Sequence, residues 1–120
     1  QDIARVTAYR VLNRLNTARA KADLAQGTSS PIMSLGKLAM SRILHEEARL
    51  RTALLGPGSL LEGPEHPRAE DANFLSLNAY FTSIGGGTDQ IQKNIVGERI
   101  LGLPKEPEPY KETAFRDLPH

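Results

Sequence analysis

The part of the sequence best suited to chemistry is a run of three glycines, 85–87, followed by polar residues at 88–90. Glycines that open a helix expose unpaired N–H groups beside the positive end of the helix dipole, which suits a phosphate or another anion. The Thr88 hydroxyl and the Gln90 amide could add hydrogen bonds to a nucleotide. A flexible joint between two helices would also use glycines, so that alternative stays open. No strand precedes the run, which argues against a dinucleotide-binding fingerprint.

Other reactive residues are less informative. His45, Glu46 and Glu47 are adjacent, and adjacent residues on a helix point about 100° apart, so they do not converge on a metal ion. A solvated, partly buried polar face is the favoured interpretation. His66 and His120 fall in a loop and in the tail, and neither is assigned a role. With no cysteine, disulfides, thiolate metal sites and thiol nucleophiles are excluded. No Gly-x-Ser-x-Gly motif supports serine catalysis.

The composition is that of a globular chain with one core. Of 120 residues, 39% are hydrophobic and 24% are charged, and 15 basic against 14 acidic residues leave a net charge of +1. This balance predicts neither nucleic acid nor an anionic membrane as a partner. No apolar run approaches the roughly 18 residues of a membrane span. The first residue is Gln1 and nothing resembles a signal peptide, so we expect a fragment or a trimmed domain.

Two long helices are predicted in the first half of the chain. Small apolar residues recur on one face of 2–26, and Gly27 should end this helix in a left-handed conformation. Ser30 as N-cap and Pro31 at the first helical position predict a second helix that runs to about Leu55. Because few residues join the two helices, they should pack antiparallel. Gly36 costs this second helix roughly 1 kcal/mol relative to alanine, so a packing contact or a ligand is expected there.

Two shorter helices are predicted in the second half, and no segment resembles a strand. Glycines, prolines and charged residues over 56–73 predict an irregular, solvated loop. A third helix is expected over 74–83 and a fourth over 89–101. The apolar residues of the fourth helix that should face inward are Ile91, Ile95, Val96, Ile100 and Leu101.

Local signals also predict how the fourth helix begins and ends. Asp89 and Gln92 have the spacing of a capping box. Gly102 and Pro104 should end the helix in the usual order. Residues 105–120 are rich in proline and charge and should trail over a surface. The only large anchors of this tail are Tyr110 and Phe115.

Residues 86–104 resemble the terminal signature of acyl-CoA dehydrogenases, in which a Gly-Thr-x-Glu/Gln-Ile-Gln run leads to a Leu-Gly-Leu-Pro ending. Here the segment reads GGTDQIQKNIVGERILGLP. The family's other landmarks match in order and spacing: its alanine–arginine helix falls on 4–14, its turn glycine on Gly27, its lysine-bearing helix on Lys37 and its Gly-Gly turn on Gly56-Pro57. The resemblance covers residues 1 to about 104.

The resemblance implies an all-α, up-and-down helical bundle over 1–104, with an extended tail over 105–120. This bundle would be the C-terminal domain of a larger flavoenzyme, without the domain's first helix. The implied cofactor is FAD and the implied substrate is an acyl-CoA thioester, within fatty acid and lipid metabolism. The implied partners are an electron-transfer flavoprotein or a similar acceptor and further subunits, usually in a homo- or hetero-tetramer, in the cytoplasm.

The resemblance also assigns site residues. Thr88, Asp89 and Gln90 would contact FAD. A turn after the second helix would touch the FAD of an adjacent subunit, and it consists of Ala53, Leu54, Leu55, Gly56 and Pro57. Pro57 replaces the usual second glycine and has no N–H to offer. Gly87 would lie at the acyl-CoA thioester.

The family's catalytic base has no counterpart at its usual position in this sequence. The family reaction removes the α-proton of an acyl-CoA with a carboxylate while a hydride leaves the β-carbon. In many members a glutamate precedes the Gly-Thr pair, and Gly86 stands there in this sequence. Either the base lies on a segment before Gln1, or the chain is a base-less subunit or assembly module of a heteromeric acyl-CoA dehydrogenase. We favour the first because the FAD-side motif is intact.

A third hypothesis is a flavin monooxygenase or oxidase relative that shares the bundle. The ending at 101–104 argues against it.

Overall fold

Four α-helices carry most of the chain. The computed structural model describes residues 1–28 and 30–119, apart from the side chain of Phe115. The helices are α1 (Asp2–Ala25), α2 (Gly36–Leu55), α3 (Pro67–Ile84) and α4 (Asp89–Ile95). Within the described residues all regular elements are helical, which confirms the all-α prediction. The predictions for His120 and for the Phe115 anchor lie outside what the structure describes.

The end of α1 follows its sequence signal. Gly27 has a φ of +77°, in the left-handed region that favours glycine. Its N–H donates to the carbonyl of Leu24, and the Thr28 N–H donates to the carbonyl of Asp23, both at 3.0 Å. These two bonds form a Schellman motif, which satisfies carbonyls that the helix end would leave unpaired. The predicted stop at Gly27 is confirmed.

α1 and α2 pack antiparallel, as predicted. Polar contacts between the two helices join Asp2 to Arg49 (3.6 Å), Arg5 to Glu46 (3.2 Å) and Tyr9 to Arg42 (2.7 Å). Residues later in α1 contact residues earlier in α2, so the two helices run antiparallel. The Arg49 guanidinium, bonded to Glu46 at 3.1 Å, holds the pKa of that carboxyl below its usual value.

The start of α2 differs in detail from the prediction. Residues Pro31–Leu35 form a 3₁₀ turn before the α-helix begins at Gly36. The Ser30 side chain makes no capping bond; instead its carbonyl accepts the Met33 N–H at 3.2 Å, because a 3₁₀ turn pairs residues three apart. A Cβ placed on Gly36 would meet no atom within 4 Å, so no packing contact within the described chain explains this glycine.

The predicted loop over 56–73 is wrong in its second half. A 3₁₀ turn spans Gly56–Leu60, and α3 begins at Pro67, seven residues before the predicted start at 74. Proline is tolerated at the first helical position because the N–H it lacks has no intrahelical partner there. Ala69 and Ala72 are then buried at 3% and 0% exposure, which favours helix over loop.

α3 runs antiparallel to α2 and completes the up-and-down arrangement. Ser41 lies beside Ser83 at one end of the pair, and Leu55 and Arg68 line one shallow groove at the other. The fully buried Ala79 allows the two helices to approach closely. The apolar core of the described chain is small, and it comprises Val6, Ala20, Ile43, Ala48, Ala69, Ala72 and Ala79.

The fourth helix begins and ends at the expected places but is capped differently. Thr88, not Asp89, is the N-cap, since its hydroxyl accepts the Ile91 N–H at 3.2 Å. After Ile95 the helix continues as a π-helical turn over Val96–Ile100. Gly102 then takes a φ of +66°, as expected of a helix stop.

Large apolar side chains remain exposed on two helices. Of the fourth helix's predicted inward residues, Ile95 and Val96 are half-buried, whereas Ile91, Ile100 and Leu101 are exposed. That prediction is wrong for these three, whose exposures are 40–67%. α3 has a strip of side chains with exposures of 65–73%, comprising Phe74, Leu77, Tyr80, Phe81 and Ile84.

Residues beyond the fourth helix make few contacts. Tyr110, one of the two predicted anchors, is 51% exposed. A 3₁₀ turn over Phe115–Asp117 is the last regular element that the structure describes. Within the described residues no helix has both the length and the apolar character needed to cross a membrane.

Candidate functional site

The loop between α3 and α4, residues 85–88, is here called the glycine loop. Gly85 ends α3, and its N–H donates to the carbonyl of Phe81 at 2.7 Å. Gly86 and Gly87 follow with φ angles of +67° and +94°, which L side chains rarely adopt. A Cβ on Gly87 would also approach the side-chain nitrogen of Gln92 at 3.1 Å. Two of the three glycines are therefore required by the backbone.

The glycine loop and the start of α4 present a set of hydrogen-bond donors. Among the described residues, no acceptor is found for the backbone N–H groups of residues 86–90. The Gln90 side chain is exposed, and the Thr88 hydroxyl, which accepts the Ile91 N–H, still has its own proton to donate. These donors lie beside the positive end of α4, which is the arrangement on which the prediction of a phosphate or another anion rests.

Lys37 ties the glycine loop to α2. Its Nζ donates to the carbonyl of Gly87 and lies 3.6 Å from Oδ1 of Asp89. The Lys37 and Asp89 side chains are 22% and 24% exposed, so this ion pair is mostly shielded from water. The pair places a positive charge against the loop and balances the carboxylate at the start of α4.

The Asp89 side chain points into the interface between the helices. Its Oδ2 accepts a hydrogen bond from the Ser41 hydroxyl at 2.6 Å. Its Oδ1 is buried and accepts no hydrogen bond within the described residues. The carboxylate is therefore directed towards α2, and we expect the backbone N–H of Asp89, rather than its carboxylate, to bind a ligand.

The hydrogen bonds continue from Ser41 into α3, a feature that sequence reasoning missed. Ser41 Oγ lies 2.8 Å from Ser83 Oγ, which lies 2.6 Å from Nε2 of His45. The ring of Tyr80 meets the His45 ring edge-on, with centroids 4.9 Å apart. Lys37, Ser41 and His45 are spaced by four residues and so share one face of α2. That spacing was the available signal.

His45 and its two neighbours in sequence contact different partners. His45 faces Ser83, whereas Glu46 joins the ion pairs with α1. Glu47, only 8% exposed, accepts a hydrogen bond from Arg10, and this bond raises the pKa of Arg10. In the described part of the chain no three His, Asp or Glu side chains form a cluster that could hold a metal ion.

The second predicted FAD-binding group lies at the other end of α2. Ala53, Leu54 and Pro57 are exposed, and Leu55 and Gly56 are half-buried. Gly56 ends α2 with a φ of +55°. Sixteen residues separate Lys37 from Ala53 on α2, which corresponds to about 24 Å at the helical rise. The structure does not bring residues 53–57 together with the glycine loop of the same chain.

Comparison with known families decides how this arrangement is classified. A family described as "Acyl-CoA dehydrogenase, C-terminal domain" matches residues 1–101. The chain belongs to the acyl-CoA dehydrogenase C-terminal domain family. The resemblance carried by the glycine loop and the helix after it is thereby confirmed. Comparisons with curated proteins and with solved structures give no match.

In this acyl-CoA dehydrogenase domain, Gly86 stands where many family members are expected to have their glutamate. A Cβ at Gly86 would meet no atom within 4 Å, so space for a side chain exists. The φ of +67° nevertheless penalises any residue but glycine. The carboxylate of Asp89, engaged with Ser41 and Lys37, does not replace the missing group.

Proposed function

We propose that this chain is part of an FAD-dependent acyl-CoA dehydrogenase, which forms a double bond between the α- and β-carbons of an acyl-CoA thioester. The domain would contribute contacts to FAD and part of an oligomer interface. The observation that carries the proposal is the glycine loop. Within a chain of this family, the loop and the start of α4 offer N–H groups that have no acceptor among the described residues, at the position of the expected flavin motif.

The donor set of this site fits FAD. The N–H groups of 86–90, the Thr88 hydroxyl and the Gln90 amide can all donate to the oxygen and nitrogen acceptors of a flavin nucleotide. Lys37 offsets the charge of Asp89, so the site does not repel a phosphate. When bound, FAD would supply the acceptor for the hydride that leaves the β-carbon.

The residues of this chain would bind the flavin and orient the thioester. Thr88, Gln90 and the Asp89 N–H would hold the flavin. The N–H of Gly87, for which the structure describes no acceptor within 1–28 and 30–119, would donate to the thioester carbonyl oxygen. Such a bond would favour loss of the α-proton by stabilising negative charge on that oxygen. Lys37 holds the Gly87 carbonyl and so helps to aim this N–H.

The turn at 53–57 would contact the FAD of an adjacent subunit. Along α2 this turn lies about 24 Å from Lys37, which contacts the glycine loop. The turn and the glycine loop of one chain are therefore too far apart to form one compact contact surface, which supports assigning the turn to the FAD of another subunit. Leu54 is 69% exposed and Pro57 has no N–H, so this turn would offer mainly apolar contact. The tetramer, the electron-transfer flavoprotein and the cytoplasmic location stay predictions.

Two observations favour a second candidate function. Gly86 provides no base, and α3 has an exposed apolar strip that suits contact with another protein. Both features would be present in a base-less subunit or assembly module of a heteromeric acyl-CoA dehydrogenase. In that case the base would come from the partner chain.

Activity of the full-length protein separates these functions. We expect the purified full-length chain, supplied with FAD, to reduce an artificial electron acceptor only when an acyl-CoA is added. Residues 1–120 alone should bind no flavin, because the remaining flavin contacts would be missing. Activity that requires co-expression of a second chain would favour the base-less subunit. Absence of flavin and of activity in every combination would contradict the proposed function.

A further inference from the structure

Three side chains that sequence reasoning left without a role, His45, Ser83 and Ser41, form a hydrogen-bonded row that ends on the carboxylate of Asp89. We propose that they are positioning residues of the flavin site, which hold Asp89 and, through Lys37, the glycine loop in the orientation that binds FAD. This inference rests on the proposed function, because it assigns further residues to the same site.

The number of available protons determines which group donates in each hydrogen bond of the row. A carboxylate can only accept, so Ser41 donates its single proton to Asp89 across 2.6 Å. Ser41 then has no proton left for Ser83, and Ser83 must donate to Ser41 across 2.8 Å. With that proton committed, Ser83 can only accept from His45, across 2.6 Å. The row therefore requires the proton of neutral His45 to lie on Nε2.

Apart from Nε2 of His45 in its other tautomer, the competitor for these protons among the described residues is the carbonyl of Ala79. It lies 3.0 Å from Ser83 Oγ, as expected of a serine bonded to the preceding helical turn. If Ser83 donated to Ala79 alone, the oxygens of Ser41 and Ser83 would face each other at 2.8 Å with no proton between them. That arrangement is unfavourable, so the Ala79 carbonyl at most shares the proton.

The row connects three helices around a buried serine. Ser41 is 1% exposed, Ser83 and His45 are half-buried, and the Tyr80 ring meets the His45 ring edge-on. Water cannot easily replace the hydrogen bonds of Ser41, and each bond in such a chain strengthens the next. The row joins α2, α3 and the first residue of α4, and Lys37 extends it to the Gly87 carbonyl. The consequence is a fixed position for the loop whose N–H groups face the ligand.

α3 contains a matched control for Ser83. Ser76 lies seven residues earlier and donates to the carbonyl of Ala72 at 2.8 Å, just as Ser83 approaches that of Ala79. Both serines are half-buried. Ser76 is not bonded to the row, so Ser76→Ala removes the same helical bond and leaves the row intact.

The first test measures the FAD dissociation constant of the full-length apoprotein by flavin fluorescence. We expect Ser83→Ala to weaken FAD binding about tenfold, the effect of one buried hydrogen bond, and Ser76→Ala to change it less than about twofold. Ser83→Thr, which keeps the hydroxyl, should restore most of the affinity. Equal affinities for the two alanine variants overturn this inference but leave the proposed function standing. A wild-type protein that binds no FAD overturns both.

A second readout does not depend on FAD. Solid-state NMR of ¹⁵N-histidine-labelled full-length protein, at a mildly alkaline pH where histidine is neutral, reports which ring nitrogen holds the proton. His45→Gln identifies the signal. We expect the Nε2–H tautomer in the wild type and a mixture of tautomers in Ser83→Ala. An Nδ1–H tautomer in the wild type contradicts the proposed hydrogen bond from His45 to Ser83 and overturns this inference.

Discussion

The Gly87→Ala variant of the full-length protein is expected to lose about 100-fold in acyl-CoA dehydrogenation, since a shift of about 1 Å in a positioning group costs that much. The φ of +94° at Gly87 strains any side chain. The new Cβ would also press on the Gln92 amide at 3.1 Å, and that amide holds the Gly86 carbonyl. Both effects move the N–H groups that are proposed to face flavin and thioester. Steady-state reduction of an artificial acceptor measures the loss.

Gly36→Ala is the matched control for this variant. Gly36 has helical angles of −59° and −42°, and no atom lies within 4 Å of an added Cβ. We expect unchanged activity and a gain of about 0.5–1 kcal/mol in the free energy of unfolding, because alanine restricts the unfolded chain. Full activity in Gly87→Ala would contradict the role given to the loop. A large loss in Gly36→Ala would instead show that a ligand contacts Gly36.

Lys37→Met is expected to destabilise the domain by about 1–3 kcal/mol and to weaken FAD binding. The substitution leaves the buried Oδ1 of Asp89 without its nearby cation and frees the Gly87 carbonyl. Breaking a fully buried ion pair costs about 3–5 kcal/mol. The expected cost is smaller here because the side chains of Lys37 and Asp89 are 22% and 24% exposed, so water partly screens their charges. Calorimetric unfolding of the full-length protein and fluorescence titration with FAD measure the two effects.

Two further variants make the Lys37 result specific. Lys93→Met removes a lysine that is exposed on α4, and it should change neither stability nor affinity appreciably. Adding Asp89→Asn to Lys37→Met should recover part of the lost stability, since the uncompensated charge is then gone. The ion-pair interpretation is wrong if Lys37→Met unfolds at the same temperature as Lys93→Met.

Much of the fold could be predicted because its signals are local. The three-to-four residue spacing of apolar residues in α1 and the left-handed Gly27 act within one or two turns of helix. The start of α3 was missed because its first turn is rich in charge and opens with Pro67. What makes that turn helical is the burial of Ala69 and Ala72, which depends on the packing of α3 against other elements of the chain.

The candidate site, like the fold, was predicted where its signals are local and missed where it depends on contacts between helices. The glycine loop was found from sequence because its three consecutive glycines stand directly before a predicted helix and lead into the segment that resembles the family signature. The row from His45 to Asp89 was missed because its members come from three helices, and Ser41 and Ser83 are 42 residues apart. Lys37, Ser41 and His45 were visible as one polar face of α2. Sequence alone could not show that this face is covered by α3.

The most direct test of the central claim is hydrogen exchange of the full-length apoprotein with and without FAD, followed by mass spectrometry of peptides that cover residues 85–92. The N–H groups of 86–90 have no acceptor within the described chain, so they should exchange quickly without FAD and slow down when FAD binds. Peptides within α1 over 10–20 should not change. FAD binding that leaves exchange at 86–90 unaltered would contradict the claim that the glycine loop holds the flavin.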